Sequence, residues 1–148
     1  MTINYVEKGH WLPDEIGRQG YHLTQRDGTH VSTDDVAVQA IIDSFDPLPN
    51  AKADKIAELN LEAGKRVDDI YGFLPGDREN TNPKDVQGFY DFVIDIVGMI
   101  PSPNPITGRL AELKAVRDVM QATKGQINAQ TDWQAIMAYD VVNTPSWP

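Results

Sequence analysis

The clearest hydrophobic pattern in the chain is a run of apolar residues at three- and four-residue steps between Ala51 and Leu74. Charged residues take most of the other positions, so one face of this segment is apolar and the opposite face is polar. The spacing predicts one long amphipathic helix that joins two unlike halves of the chain. Its apolar positions are Ile56, Leu59, Ala63, Val67, Ile70 and Leu74.

A different pattern precedes this helix, where apolar and polar residues alternate and predict a β-hairpin. Tyr21 and Leu23 alternate with polar residues, and Val31 follows the turn sequence at 26–28. A two-residue turn would pair Leu23 with Ser32, whereas a three-residue loop would pair Leu23 with Val31. We prefer the three-residue loop, because it places Tyr21, Leu23 and Val31 on one face.

The residues upstream of the hairpin are also partly apolar. Ile3, Tyr5 and the segment Trp11–Leu12–Pro13 are expected to form another strand or to cover the apolar face of the hairpin. Either arrangement makes the first 33 residues a segment of short strands and turns.

A helix-start signal follows at 32–35, where hydroxyl residues precede two aspartates. A hydroxyl can cap free backbone N–H groups, and the helix dipole favours acids in the first turn. The next apolar residues predict a three-turn helix that stops before Asp46, and the proline-containing residues 47–50 predict a bent linker. These apolar residues are Val38, Ile41, Ile42 and Phe45.

The second half contains a polar loop at 76–82 and then the cleanest helical stripe in the sequence. Asn82–Pro83 is a cap with proline at the first helical position, and the stripe runs to Ile100. Residues 101–105 have proline at every second position, which cannot continue a helix and predicts a stiff connector. We expect this helix to be the core element of the C-terminal half.

Two more helices are predicted after this connector. The first opens at Pro105 or Gly108 and stops at Gly125, and the second follows the capping-box pattern at 131–134. Residues 143–148 are expected to be an extended tail. The first helix has Ile106, Leu110, Leu113, Val116, Met120 and Thr123 on one side, and the apolar positions of the second are Trp133, Ile136, Met137 and Val141.

Together these elements predict an α+β fold in which helix dominates: a short N-terminal β-hairpin segment followed by an array of four to five amphipathic helices. We expect a small head of hairpin plus helix at 1–46, a proline linker at 47–50 and a helical domain at 51–148.

The charge distribution limits the partners of such a fold. The net charge is −9, with eight acids and three bases in residues 1–50, ten and six in 51–100, and four of each in 101–148. Nucleic acid is not an expected partner, because phosphate binding needs clustered Lys and Arg. An acidic DNA mimic is also disfavoured, since its acids should form a continuous surface array. The neutral last third is the region expected to pack against a protein partner or another subunit.

The sequence contains no cysteine, which excludes disulfides and thiolate zinc sites. It begins without the pattern of a signal peptide, and no apolar run approaches the roughly 18 residues that span a bilayer. We therefore expect a soluble, cytoplasmic protein.

The histidines are the only candidate metal ligands with a shared location. His22 and His30 would project from one face of the hairpin in the preferred register, and His10 could fold over them. Ordinary exposed strand histidines are the alternative, since no ligand-spacing motif is present. The side chains of neighbouring aspartates on a helix point about 100° apart, so such a pair does not form a shared catalytic site. We expect no catalytic residue, bound metal or cofactor in this chain.

Four residues are candidates for binding a protein partner. Asn60 lies within the apolar stripe of the long helix, where a polar residue can fix register or oligomeric state; the alternative is an asparagine at the stripe edge that faces water. Trp133, Tyr139 and Trp147 are interface-type aromatics near a proline-flanked tail. Trp147 could be presented for docking, or it could fold back on the last helix to close the core.

Three stretches resemble small proteins encoded in the tail modules of tailed bacteriophages and prophages. They are DVAVQAIIDSFDPLP at 35–49, KIAELNLEA at 55–63, and DWQAIMAYD at 132–140 with the closing PSWP at 145–148. In those proteins a short β-rich head precedes a proline-broken linker and an Ala/Glu/Lys helix that often ends in tryptophan. The helical insert at 82–125 departs from the usual pattern.

This resemblance implies a non-enzymatic tail accessory protein that acts through protein–protein contacts. The commonest such role is an assembly chaperone that binds a tail-fibre subunit in the host cytoplasm until the fibre trimerises. The alternatives are a structural tail or baseplate component retained in the virion and a generic helical binding or regulatory module. A protein partner is expected in each case, with homo-oligomerisation left open and no role for nucleic acid or membrane.

Overall fold

The chain is α+β with helix dominant, as the sequence predicts, in a computed structural model that describes residues 3, 5–26, 29–71, 98–99 and 106–148. It divides into two compact units, unit 1 at 1–51 and unit 2 at 52–148. The described elements are helices α1 (Tyr5–Lys8) and α2 (Leu12–Arg18), strands β1 (Leu23–Arg26) and β2 (Thr29–Ser32), and helices α3 (Asp35–Ser44), α4 (Leu48–Tyr71), α5 (Ile106–Ala129) and α6 (Trp133–Ala138).

The hairpin of unit 1 is present, but the preferred register is wrong. β1 and β2 are antiparallel with Leu23 opposite Ser32 and Thr24 opposite Val31, which is the two-residue-turn alternative. A shift of one residue moves side chains to the other face, so Leu23 and Val31 lie on opposite faces. Tyr21 and Leu23 pack against the core. The register was predicted wrongly because it was chosen to place Val31 on the same face as these two residues.

The segment before the hairpin forms two helices, α1 and α2, where a further strand was one expectation. Leu12 and Ile16, four residues apart, are fully buried, and Pro13 lies in the first turn of α2, where its missing N–H costs nothing. The Glu15 carboxylate accepts two hydrogen bonds from the Arg18 guanidinium, at 2.7 and 2.8 Å. The alternation-based reading overlooked this helical spacing.

The core of unit 1 is formed by α2, α3 and the start of the chain. Its buried members are apolar without exception: Ile3, Leu12, Ile16, Val38 and Ile41. α3 confirms the predicted three-turn helix, with a different cap. The carboxylate of Asp34, rather than a hydroxyl, accepts from the backbone N–H groups of Val36 and Ala37 at 3.1 and 3.0 Å. Aspartate and serine cap about equally well, so composition could not distinguish them.

α4 begins at Leu48, so residues 48–50 of the predicted linker are helical. Proline fits the first turn of a helix, and the Asp46 carboxylate accepts from the Leu48 backbone N–H at 2.9 Å. The predicted stripe is confirmed at Leu59, Ala63 and Val67, which are fully buried. Asn60 is also buried, with 6% of its surface exposed, so the alternative in which it faces water is wrong.

α5 confirms the predicted helix and its buried stripe of Leu113, Val116, Met120 and Thr123, but it does not stop at Gly125. It continues to Ala129 and buries Ile127, whose burial offsets the roughly 1 kcal/mol cost of a glycine within a helix. α6 is capped by Asp132, not Thr131, through the Gln134 backbone N–H at 2.9 Å. Three predictions lie almost entirely outside the described residues. They are the loop at 76–82, the helical stripe that runs to Ile100 and the connector at 101–105.

Candidate protein-binding surface

The end of α5, helix α6 and the segment after it together form a groove in unit 2. α6 is short, and Ile136 anchors it by being fully buried. After α6 the chain turns at Asp140, whose carboxylate accepts from the backbone N–H groups of Val142 and Asn143 at 2.9 and 3.0 Å. This turn sends residues 144–146 back along α5, where they form one wall of the groove.

The Asp140 turn is held by side-chain contacts as well. The Asn143 amide donates to the second Asp140 oxygen at 2.7 Å, and this bond, aided by the two backbone N–H groups, lowers the pKa of Asp140 below its usual value. The carboxylate therefore stays ionised at neutral pH and keeps all three acceptor contacts.

Tyr139 and Gln126 lie at the centre of the groove and line both of its cavities. The smaller cavity, about 180 Å³, lies between α5 and α6, and the larger, about 320 Å³, lies between α5 and residues 144–146. The Tyr139 hydroxyl donates to Gln126 Oε1 over 3.4 Å, which is long for an O–H···O bond. The described lining is Gln126, Ile127, Gln130, Ala135, Ile136 and Tyr139 in the smaller cavity and Val119, Ala122, Thr123, Gln126, Tyr139, Thr144, Pro145 and Ser146 in the larger.

Trp147 fixes the position of the groove wall. Its indole N–H donates to the Val141 carbonyl at 2.9 Å, and the Arg66 guanidinium lies over its ring at 5.6 Å from the centroid. Trp147 is half-buried. These contacts are those of the fold-back alternative for Trp147; direct docking of a partner on this residue stays a prediction.

Of the other predicted partner-binding residues, only Tyr139 is among the described lining residues of the groove. Tyr139 is at the groove, whereas Trp133 is the half-buried first residue of α6 and is not among the described lining residues. Asn60 is buried in α4 and offers almost no surface to a partner. Sequence reasoning missed Gln126, because an exposed glutamine on the polar side of a helix gives no signal of its own.

The described lining of the groove is uncharged, whereas α4 in the same unit buries charged side chains. No charged residue occurs among the lining residues that the structure describes, although the chain as a whole carries −9. α4 instead buries one member of each of two ion pairs: buried Lys55 contacts the exposed Glu58 at 2.6 Å, and buried Glu62 contacts the half-buried Arg66 at 2.8 Å. The groove is therefore a neutral surface in an acidic protein.

The histidine hypothesis gains no support from the hairpin. In the observed register His30 pairs with Gln25 on the Leu23 side, while alternation places His22 on the opposite side. Across the residues that are described, no group of three or more His, Cys, Asp or Glu side chains could hold a metal ion. Within the same residues, no helix is long and apolar enough to cross a membrane.

Comparison with protein-family models, with curated proteins and with solved structures gave no match for this chain.

Proposed function

We propose that this chain is a non-enzymatic accessory protein of a bacteriophage or prophage tail that works by binding another protein. The observation that carries the proposal is the neutral groove around Tyr139 and Gln126. Interface cores are depleted of charged residues and enriched in aromatic residues, with a polar rim; the described lining of this groove has no charged residue, one aromatic residue, Tyr139, and several polar residues. The sequence resemblance supports the phage-tail setting.

Within that setting, we propose that the protein is an assembly chaperone for a tail-fibre subunit. A chaperone must bind an unassembled, partly apolar surface and release it when the fibre trimerises. The Tyr139–Gln126 hydrogen bond at the centre of the groove is long, so breaking it when a partner binds would cost little, which suits reversible binding. The protein would act in the host cytoplasm while the tail is assembled.

Co-expression with a candidate tail-fibre subunit tests the proposal. We expect the yield of soluble, trimeric fibre to rise at least severalfold when this chain is present, as measured by size-exclusion chromatography with light scattering. A fibre yield that is the same with and without the chain would contradict the chaperone role. Finding the chain at a fixed stoichiometry in purified particles would favour a retained structural component instead.

A further inference from the structure

We propose that residues 140–148, which we call the strap, open away from α4 and α5 as a lid while the helices of unit 2 stay folded. The strap supplies one wall of the larger cavity through residues 144–146. Its opening therefore changes the larger cavity from a pocket into an exposed strip of α5. This opening is a property of unit 2 alone and needs no partner.

The hydrogen bonds described for the strap all have both partners inside it. Four of them reach back to Asp140 from residues 142–144. The indole and backbone N–H groups of Trp147 donate to the carbonyls of Val141 and Pro145, both at 2.9 Å. Release of the strap from the helices therefore breaks none of these bonds. A local opening of this kind costs much less free energy than global unfolding.

Among the described residues, the strap is attached to the rest of unit 2 mainly by one buried side chain and one ring contact. Val141 is the buried side chain, at 1% exposure. The Trp147 ring is the other attachment, with its centroid 5.6 Å from the guanidinium of Arg66 on α4, and both side chains are half-buried. A cation–π contact is weaker at a partly exposed site than at a desolvated one. The remaining strap residues are exposed or half-buried, so little apolar surface holds the strap closed.

Arg66 is held in place from its own helix. Its Nε donates to the carboxylate of buried Glu62 at 2.8 Å, one turn earlier on α4. The guanidinium therefore keeps its position whether the strap is closed or open. This gives the Trp147 ring a fixed site to which it returns, so the opening is reversible.

Thr123 is the residue of α5 that the strap covers. It lines the larger cavity together with residues 144–146, yet only 3% of its surface is exposed. Val116, about two turns earlier on α5, is also buried but is not among the described lining residues. Opening of the strap exposes the first position and leaves the second buried, so the two positions form a matched pair.

Thiol labelling tests the proposal, because the chain has no cysteine of its own. Thr123→Cys and Val116→Cys each introduce one thiol of a size similar to the side chain that it replaces. In the absence of denaturant, we expect a small aromatic disulfide reagent to label the Thr123→Cys thiol at least tenfold faster than the Val116→Cys thiol. Met120→Cys, at another buried position of α5, is a second control that keeps the comparison available if Val116→Cys does not fold.

Trp147→Leu, combined with each cysteine variant, tests whether the contact with Arg66 keeps the strap closed. Leucine is apolar but has no aromatic face for the guanidinium. We expect Trp147→Leu to raise the labelling rate of Thr123→Cys at least fivefold and that of Val116→Cys less than twofold. Val142→Ala, at a strap position that is 43% exposed, is the matched control and should change both rates less than twofold.

Each of four results would overturn the inference. Equal labelling rates at the two positions would mean that the strap opens only with the helices. A Thr123→Cys rate equal to that of the urea-unfolded chain would mean that the strap does not cover this position. An equal increase at both positions on Trp147→Leu, or no change at either, would mean that the Trp147 contact does not control a separate strap.

The labelling rates are measured on the purified chain without a fibre subunit, which separates the strap from the proposed function. If the labelling test fails while co-expression raises the fibre yield, the chaperone function stands without the strap. If the fibre yield is unchanged while the labelling rates are as expected, the strap stands and the chaperone function fails.

Discussion

The two units bury different chemistry. Every buried member of the unit 1 core is apolar, whereas the buried polar and charged side chains of the described residues all belong to unit 2: Lys55, Asn60, Glu62 and Thr123. Unit 1 therefore resembles a small conventional core, in which each residue contributes by excluding water. Unit 2 in addition buries two charged side chains, Lys55 and Glu62, each of which has an ion-pair partner that is more exposed. A hydrophobic pattern describes the first kind of interior well and the second kind incompletely.

The largest expected effect is loss of an apolar side chain from the unit 1 core. Leu12→Ala should lower the free energy of unfolding by about 2–5 kcal/mol, because it removes buried methyl groups and leaves a cavity. Hydrogen exchange of the amides in residues 5–45, measured against urea unfolding, would detect it. Leu61→Ala is the control, since Leu61 is 51% exposed and should change stability by less than about 1 kcal/mol. Equal losses in the two variants would contradict the assigned core.

The next effect tests the buried charges of unit 2. Glu62→Ala should cost about 1–3 kcal/mol, because the Arg66 guanidinium loses the carboxylate it contacts at 2.8 Å while staying partly buried. Urea unfolding measures it, with exposed Glu112→Ala as the control. If Glu62→Ala is no more costly than Glu112→Ala, the contrast between the units is wrong.

Replacing Gly20 and Gly125 by alanine should change stability in opposite directions. Gly20 has φ +89°, so Gly20→Ala should destabilise unit 1 by about 1–2 kcal/mol. Gly125 lies within α5 with open space around its Cα, so Gly125→Ala should stabilise unit 2 by about 0.5–1 kcal/mol. Melting temperatures of the two variants check this, and the same sign for both would contradict the backbone assignments.

The smallest effect is a pH dependence confined to α2. Hydrogen bonds from Arg18 and then Gln19 lower the pKa of Glu15 from 4.5 to about 2. The folded-state pKa lies below the unfolded one, so this stabilisation is present above pH 4.5 and is lost as the pH falls through 2. Glu15→Gln should remove part of the acid sensitivity of unit 1 in urea titrations at pH 6 and pH 2.5. An unchanged acid slope would show that the pair contributes nothing in solution.

Helices were predictable where spacing and caps agreed. α3, α4 and α5 follow from apolar residues at three- and four-residue steps, and Asp34 and Asp46 are residue types that favour helix starts. The hairpin register was not predictable, because Leu23 and Val31 satisfy either pairing and only packing against α2 and α3 decides between them. The predicted stop at Gly125 was wrong, because α5 continues for one more turn and buries Ile127.

The groove was less accessible to sequence reasoning than the fold. Tyr139 was predicted as an interface residue, but the cavities depend on the Asp140 turn, which brings residues 144–146 beside α5. The hydrogen bonds of that turn come from an Asp–Val–Val–Asn sequence that does not by itself specify where the chain goes next. The burial of Lys55 and Glu62 could not be predicted from the sequence either, because charged residues on a helix usually face water.

The burial of Lys55 gives unit 2 a built-in reporter. The Lys55 side chain is 5% exposed and its amine contacts Glu58, whereas Lys114 and Lys124 on α5 are exposed. An amine-reactive label should modify Lys114 and Lys124 within minutes and reach Lys55 only when this part of the molecule opens. Mass spectrometry can follow the labelling rate of the Lys55 amine. That rate would measure how often unit 2 opens around this residue.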